Sequence, residues 1–203
     1  MVDEYEERRD CLDQRWGPLL RSFDCTPVPL LNRIENVEEY ISDLELSGVV
    51  FTGGNDLASL DDGSNVAPER DAFERNVLDF ALDRDLPAFG VCRGAQFINV
   101  YFGGSLSVVD EHVACTHEVS ITDSPLEMVS ETVTTNSYHT YGIEPGDLAR
   151  DLRVVGRASD GSIEWVEHET SPVSGVMWHP ERDSPSTDLD RRIIKRHFGT
   201  REQ

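Results

Sequence analysis

A cysteine between two glycines stands where a predicted strand meets a predicted helix. The segment Phe89–Gln96 reads Phe-Gly-Val-Cys-Arg-Gly-Ala-Gln, with Cys92 at the centre of a Gly-x-Cys-x-Gly pattern. This pattern is the thiol form of the nucleophile elbow, a sharp strand-to-helix turn that projects its central side chain away from the sheet. Because the start of the following helix favours negative charge, we expect the Cys92 thiol to ionise readily and act as a nucleophile. A structural core cysteine is the alternative.

A histidine and a glutamate two residues apart follow another predicted buried strand. His179 and Glu181 end the run Ser-Gly-Val-Met-Trp-His-Pro-Glu, which begins at Ser174. In extended backbone, residues i and i+2 face the same way, so the Glu181 carboxylate can reach and orient the His179 imidazole. The pair therefore predicts the base that a cysteine nucleophile needs. A strand-end histidine beside an unrelated glutamate is the alternative, and the nucleophile elbow argues against it.

Acyl transfer by a thiol also needs N–H donors for the negative oxygen that develops in the transition state. The turn Thr-Gly-Gly-Asn-Asp at 52–56 follows a predicted buried strand, and its glycines expose backbone N–H groups. The backbone N–H groups of Gly54 and Arg93 are the candidate donors of this oxyanion hole. An ordinary tight turn is the alternative explanation of the glycines.

The elements that must position these residues alternate between strand and helix. Strands are predicted at 48–52 and 87–91, and helices at 68–84 and 93–102. Six short β-type runs follow between 105 and 178, and a last helix covers 189–198. A charged amphipathic helix is also predicted at 3–23. This order predicts an α/β protein, a three-layer α/β/α sandwich with a small antiparallel β excursion, as a single domain over residues 1–203.

The chain is acidic, with 39 Asp and Glu against 18 Lys and Arg, a formal charge of −21. Such a charge argues against nucleic acid or an anionic membrane surface as a partner. No apolar run approaches the roughly 20 residues that span a bilayer, and no signal-peptide pattern is present, so we expect a cytoplasmic protein. The cysteines at 11, 25, 92 and 115 form no CxxC pattern, and no Cys/His cluster has zinc spacing. We therefore expect free thiols and no metal site.

The cations of this acidic chain are almost all arginine, with Lys195 as the single lysine among 18 positive residues. That balance is what we expect of a halophilic protein, because concentrated salt screens the self-repulsion of the carboxylates. We predict that the free energy of unfolding rises between low and molar KCl, as measured by chemical denaturation at each concentration. Equal stability at both concentrations would leave an ordinary acidic protein as the explanation.

Four segments together resemble the class I glutamine amidotransferase superfamily and, within it, the γ-glutamyl hydrolase branch of the peptidase C26 type. They occur in the family order and span most of residues 48–182. The segments are Phe-Thr-Gly-Gly-Asn-Asp at 51–56, Gly-Val-Cys-Arg-Gly-Ala-Gln at 90–96 with Ile-Asn-Val at 98–100 and Gly-Gly at 103–104, Asn-Ser-Tyr-His at 136–139, and Gly-Val-Met-Trp-His-Pro-Glu at 175–181.

The resemblance implies a fold, a reaction and a set of site residues. The fold is flavodoxin-like with a mostly parallel central sheet. The triad falls on Cys92, His179 and Glu181, and the thiol attacks a γ-carbonyl to form a glutamyl thioester that water hydrolyses. Neither a metal nor an organic cofactor is implied. The residues implied to contact the substrate are Gln96, Asn136, Ser137, Tyr138 and His139.

The N-terminal runs at 6–16 and 27–32 are similar to those of short family members that hydrolyse γ-glutamyl-CDP-amidate. An anionic diphosphate then needs nearby cations, for which Arg8, Arg9, Arg15 and Arg70 are candidates. Members of the family have a β-strand before the Arg-Arg-Asp segment, and this sequence starts just before that segment. Without an inner strand, we expect the sheet to have an unpaired edge.

Three functions stay open at this point. The first is a stand-alone cysteine hydrolase of γ-glutamyl amides, acting on a small-molecule γ-glutamyl substrate. The second is a glutaminase subunit that delivers ammonia to a synthase partner, which shares the triad but needs a docking surface. The third is a catalytically impaired member that binds without turnover. The sequence leaves a homodimer open as well.

Overall fold

The structure, a computed structural model, describes residues 2–4, 7–126 and 131–199. The strands are β1 Val2–Glu4, β2 Glu7–Arg9, β3 Val49–Phe51, β4 Ala88–Val91, β5 Ser107–Val108, β6 Val113–Ile121, β7 Glu131–Tyr138, β8 Tyr141–Gly142, β9 Leu152–Ala158, β10 Ile163–His168 and β11 Val173–Val176. The helices are α1 Trp16–Arg21, α2 Val37–Ser42, α3 Pro68–Asp83, α4 Arg93–Tyr101 and α5 Thr187–Phe198. No helix in these ranges is long and apolar enough to cross a membrane.

A seven-stranded sheet in the order β3-β4-β11-β10-β9-β6-β7 forms the centre of the molecule. Strands β3, β4 and β11 are parallel, and the remaining neighbours are antiparallel. The predicted α/β class is confirmed, although the parallel part is smaller than the sequence suggested. The reason is connectivity, because a parallel pair needs a long crossover, whereas short turns join β9, β10 and β11. Smaller two-stranded sheets pair β1 with β2 and β5 with β8.

The sheet carries an apolar core on each face. Along β4, successive side chains alternate between the two cores, with Ala88 in one and Phe89 in the other. One core joins the sheet to α3 and α4 through Phe51, Phe73, Val77, Phe97 and Ile98. The other joins it to α1 and α5 through Trp16, Val91, Trp165, Trp178, Leu189 and Ile193. Helices therefore cover both faces, as the strand and helix order predicted.

The predicted helix at 3–23 is wrong for most of its length. Strands β1 and β2 pair as a hairpin, with Val2 opposite Arg9, and a helix begins only at Trp16. Nearly every residue between 3 and 10 is charged, so this part has no apolar face to bury against the sheet. Trp16, by contrast, is buried in the core beside α5. The apolar period seen in the sequence therefore marks only the last turns of the predicted helix.

Strand β3 forms one edge of the main sheet. It pairs with β4 on one side, and within the described ranges no strand pairs with its other side. A cavity of about 1070 Å³ runs along this edge, lined by Val49 to Thr52 and by Trp16, Phe23 and Leu30 among others.

Candidate functional site

The sharp turn predicted at Cys92 is present between β4 and α4. Cys92 has φ 51° and ψ −109°, a positive φ that a residue with a side chain adopts only under strain. Its backbone N–H donates to the Val176 carbonyl at 2.8 Å, which ties the turn to β11. The next residue, Arg93, is the first of α4. This is the strand–turn–helix geometry that a nucleophile elbow requires.

The two glycines of the elbow allow α4 to approach the sheet closely. A Cβ atom at Gly94 would lie 1.9 Å from the Phe51 carbonyl oxygen, far inside van der Waals contact. A Cβ atom at Gly90 would lie 2.6 Å from the backbone of Gly94. Neither position has room for a side chain, so both require glycine. The Gly-x-Cys-x-Gly pattern therefore reflects the close packing of α4 on the sheet as well as the sharp turn at Cys92.

His179 and Glu181 form the hydrogen-bonded pair that their spacing predicted. The Glu181 Oε1 atom lies 2.7 Å from His179 Nδ1, and both side chains are buried. The backbone of His179 is held on both sides by Asn136, which accepts from the His179 N–H at 2.9 Å and donates to the His179 carbonyl at 3.0 Å. The Glu181 carboxylate thus fixes one ring nitrogen of His179, and the Asn136 side chain on β7 fixes the His179 backbone.

The glycine turn brings Cys92 and His179 to the same place. An ideal Cβ position at Gly53 lies 2.8 Å from His179 Cε1 and 3.7 Å from Cys92 Cβ. Both side chains therefore lie next to Gly53. A Cβ atom at that position would collide with the imidazole, so the site requires glycine there.

A buried arginine holds the glycine turn against α3. The Arg70 guanidinium donates to the Thr52 carbonyl at 2.7 Å and to the Gly53 carbonyl at 3.2 Å, while its Nε donates to Glu74 at 2.7 Å. Gly54 stands in this turn with φ +145°, a conformation that favours glycine. Arg70 is therefore committed to the turn, and the structure does not place it as the free cation that a diphosphate would need.

Arg93 acts through both its side chain and its backbone. Its guanidinium is buried between the carboxylates of Asp71 and Glu74, which joins α4 to α3. Its backbone N–H lies near enough to the Cys92 sulfur to lower the pKa of the thiol. This contact places the N–H beside the nucleophile, where an oxyanion donor has to stand. The loop held by Arg70 supplies the other candidate, the backbone of Gly54.

The thiol of Cys92 differs from the sequence expectation in one respect. Burial raises its pKa to about 12, because charge is costly away from water, and Glu181 adds to the effect. The hydrogen bond from the Arg93 N–H lowers the pKa, but by less than burial raises it. The thiol is therefore neutral at neutral pH, and a neighbouring base has to accept its proton before it can attack.

This raised pKa predicts a specific pH dependence of alkylation. The rate constant for Cys92 with iodoacetamide should rise about tenfold per pH unit between about pH 7 and 9, because only the thiolate reacts. Mass spectrometry of the Cys92 peptide measures the rate, with the exposed Cys11 in the same digest as internal standard. A rate that levels off within this range would show that the thiol ionises at lower pH.

Four of the five residues implied to contact the substrate turn into the protein. Gln96 donates to the Tyr141 carbonyl at 2.7 Å and Ser137 donates to the His112 carbonyl at 2.6 Å. Asn136 holds His179, and His139 is buried. The contacts of these four side chains are therefore with the protein itself, beneath the surface that a substrate would meet.

Tyr138 is the member of this group that faces solvent. It is 44 % exposed, and its ring stands edge-on to the His179 ring at 5.7 Å. The Arg182 guanidinium lies 4.3 Å from the centre of the Tyr138 ring. Sequence reasoning did not single out Arg182, although its position directly after Glu181 puts a cation at the rim of the site.

Sequence reasoning also missed a buried cluster of His112, His117, His139 and Glu164. Two of the four residues lie on strands and two lie just outside them, and their separations in the chain match no spacing of a known metal motif. The family resemblance implies that His139 contacts the substrate, whereas its Nε2 atom lies 3.5 Å from Glu164 Oε1. Only the sheet brings these residues together.

Comparison with known proteins identifies the family of this chain. A family model described as Peptidase C26 matches residues 4–181. The chain belongs to the Peptidase C26 family. This confirms the resemblance drawn from the four sequence segments and shows that the protein is a hydrolase. The match includes Cys92, His179 and Glu181 and ends at the last of them.

Two relatives of this Peptidase C26 chain have names that state a hydrolase activity. It is 33 % identical over 199 residues to the gamma-glutamyl-CDP-amidate hydrolase of Campylobacter jejuni, across 97 % of this chain and 92 % of the relative. It is 31 % identical over 157 residues to the gamma-glutamyl-gamma-aminobutyrate hydrolase of Escherichia coli O157:H7, across 66 % of this chain and 61 % of the relative.

Solved structures share the fold of this Peptidase C26 chain. A GMP synthase component from Thermoplasma acidophilum superposes with a TM-score of 0.70 at 22 % identity, over 93 % of this chain and 87 % of that one. A glutamine amidotransferase of Thermotoga maritima superposes with a TM-score of 0.56 at 18 % identity, over 76 % and 63 %. At these identities the likeness concerns the fold, which is that of class I glutamine amidotransferases.

Proposed function

We propose that this protein is a cysteine-dependent hydrolase of γ-glutamyl amides in which Cys92, His179 and Glu181 form the catalytic triad. The observation that carries the proposal is the convergence at Gly53, where a strained cysteine and a carboxylate-bound imidazole both lie next to one glycine. The names of the two hydrolase relatives, both of which act on γ-glutamyl compounds, support the choice of substrate class.

The reaction follows from the groups that the site holds. As the Cys92 sulfur attacks the γ-carbonyl carbon, its proton passes to His179, and Glu181 stabilises the imidazolium. The backbone N–H groups of Gly54 and Arg93 stabilise the oxyanion of the tetrahedral intermediate. The C–N bond breaks as His179 returns the proton to the leaving nitrogen, which leaves a glutamyl thioester. Water, deprotonated by His179, then cleaves the thioester and releases glutamate.

Within this class we propose γ-glutamyl-CDP-amidate as the preferred substrate. The relative of that name aligns along nearly all of both chains, including the N-terminal segment before Cys25. The anionic diphosphate would meet Arg182 at the rim, where the guanidinium lies over the exposed Tyr138 ring and its Nε is 3.8 Å from Glu181 Oε1. Arg70 is excluded from this role by its burial in the glycine turn.

A release assay on the purified chain tests the proposal. Glutamate release is measured with γ-glutamyl-CDP-amidate, γ-glutamyl-γ-aminobutyrate, poly-γ-glutamate and free glutamine, without any partner protein. We expect kcat/KM to be highest for the CDP-linked substrate and lowest for glutamine. Faster release from glutamine would contradict the substrate class and favour an ammonia-delivering glutaminase, and absence of release from all four would contradict the activity.

Covalent labelling provides a second measurement that does not depend on the leaving group. A γ-glutamyl chloromethyl ketone should add one label per chain, seen as a single mass increase of the intact protein, because the reagent presents its electrophilic carbon to the nucleophile. Peptide mapping should place the label on Cys92. A label on Cys11, Cys25 or Cys115 instead would show that the reactive thiol is not the one in the nucleophile elbow.

A further inference from the structure

The strands next to the proposed active site enclose a group of ligand-type side chains for which the reaction has no use. Glu164 on β10 is fully buried, and the rings of His112 and His139 are buried beside it. His117 on β6 has a side chain 13 % exposed and closes the group towards the surface. Imidazole nitrogens and a carboxylate are the donor set of protein zinc sites.

The distances in this cluster are longer than those of well-formed hydrogen bonds and close to those between the ligands of one metal ion. Glu164 Oε1 lies 3.5 Å from His112 Nδ1 and 3.5 Å from His139 Nε2, while Glu164 Oε2 lies 3.4 Å from His117 Nε2. Hydrogen bonds of this type are usually about 2.9 Å long. Ligand atoms placed tetrahedrally at 2.0–2.1 Å around a zinc ion stand about 3.3–3.4 Å apart.

All five of these facing atoms also lack a hydrogen-bond partner. Both carboxylate oxygens of Glu164 are buried without one, and so are the inward nitrogens of the three histidines. Polar atoms removed from water are costly unless something satisfies them. A cation between His112, His139 and Glu164 would satisfy the inward nitrogens of these two histidines and the Glu164 carboxylate at once.

The outer nitrogens of two histidines are already bound in the way that metal ligands usually are. His112 Nε2 lies 2.9 Å from the Asp160 carboxylate, and His139 Nδ1 lies 3.1 Å from the Tyr141 carbonyl. Both partners accept hydrogen bonds, so the outer nitrogens carry the protons. In the neutral rings the inner nitrogens then hold lone pairs that point at a carboxylate, and this arrangement repels unless a cation lies between.

We propose that His112, His139 and Glu164, whose ligand atoms lie within 4.8 Å of one another, form a structural zinc site. The inference reverses the sequence expectation that no metal is bound. Glu164 belongs to β10, whereas His112 directly precedes β6 and His139 directly follows β7, and β9 separates β10 from that hairpin in the sheet. The ion would therefore fasten the β6–β7 hairpin to β10. Because Asn136 on β7 holds His179, the fastened hairpin would also fix the imidazole.

Metal content of the untagged chain tests the proposal directly. The chain, purified after expression in zinc-supplemented medium, should contain about one zinc ion per molecule by elemental mass spectrometry. His112→Gln and His139→Gln should each reduce that content at least about tenfold, since a closed site needs its full ligand set. His168→Gln, which changes a histidine outside the cluster in the same way, should leave it unchanged. Retention of zinc by both cluster variants would overturn the assignment.

Cobalt substitution tests the wild-type chain alone, so the result does not depend on whether the variants fold. After dialysis against dipicolinate, Co²⁺ should restore one equivalent of bound metal with the intense visible absorption of tetrahedral coordination, and Zn²⁺ should displace it. Removal of the ion should lower Tm by about 5–10 °C, the shift expected when free metal exceeds its Kd about a hundredfold. If the apo chain bound neither Zn²⁺ nor Co²⁺, the proposal would be overturned. The cluster would then be explained as a network of imidazolium groups and a carboxylate.

Discussion

Replacement of Cys92 by alanine is expected to reduce glutamate release from a γ-glutamyl amide at least about 10⁴-fold. The thiol is the group that forms the covalent bond, and the remaining site can only orient water, which is a far weaker route to the same products. Steady-state release with γ-glutamyl-CDP-amidate measures the effect. The chloromethyl ketone label should disappear in the same variant.

The matched control for this variant is Cys11→Ala, which removes an exposed thiol that has no proposed role. It should retain the full rate and the full label. Thermal unfolding of both variants separates loss of chemistry from loss of structure, and Cys92→Ala should unfold close to the wild-type temperature because alanine fits the same space. Turnover by a folded Cys92→Ala variant near the wild-type rate would reject Cys92 as the nucleophile.

The second large effect concerns the carboxylate that orients the base. Glu181→Gln should lower kcat about 10²- to 10⁴-fold, because an amide stabilises an imidazolium poorly and can bind His179 Nδ1 in the wrong tautomer. The Oε1 atom of Glu181 makes the 2.7 Å contact to Nδ1, so the substitution acts directly on that bond. Pre-steady-state glutamate release would show whether thioester formation is slowed.

The thiol itself should survive this substitution. Glu181→Gln is expected to remain alkylatable at Cys92, since the elbow and the Arg93 N–H are unchanged and the carboxylate raises the thiol pKa in the wild type. Glu169→Gln, an exposed glutamate in the turn after β10, serves as the control of identical chemistry and should keep the full rate. An unchanged rate in Glu181→Gln would remove Glu181 from the triad.

The elbow and the histidine–glutamate pair could be predicted because their geometry is local. A strand, a cysteine between glycines and a helix follow one another directly over residues 88–101, and His179 and Glu181 are two apart. Short-range backbone geometry is enough to specify such arrangements. The predicted roles remain proposals, but the predicted placement agrees with the observed 2.7 Å contact and the strained φ of Cys92.

The ionisation of Cys92 was harder to predict because it depends on what surrounds the turn. The helix start and the Arg93 N–H do favour the thiolate, as the sequence indicated. The fold, however, buries the sulfur between β4, β11 and the glycine turn, and the cost of burying charge outweighs the local effect. The same reasoning applies to Arg70, whose burial follows from α3 packing over the turn.

By itself the sequence determined the parts of this protein that are encoded over a few neighbouring residues. These include the α/β class, the glycines that let α4 approach β3, and the facing of His179 and Glu181. The tertiary structure alone decided how Asn136 reaches His179 and how Glu164 meets histidines from 25 to 52 residues earlier in the chain. The physical reason is that strand register, and not chain spacing, sets which side chains from distant strands share one buried space.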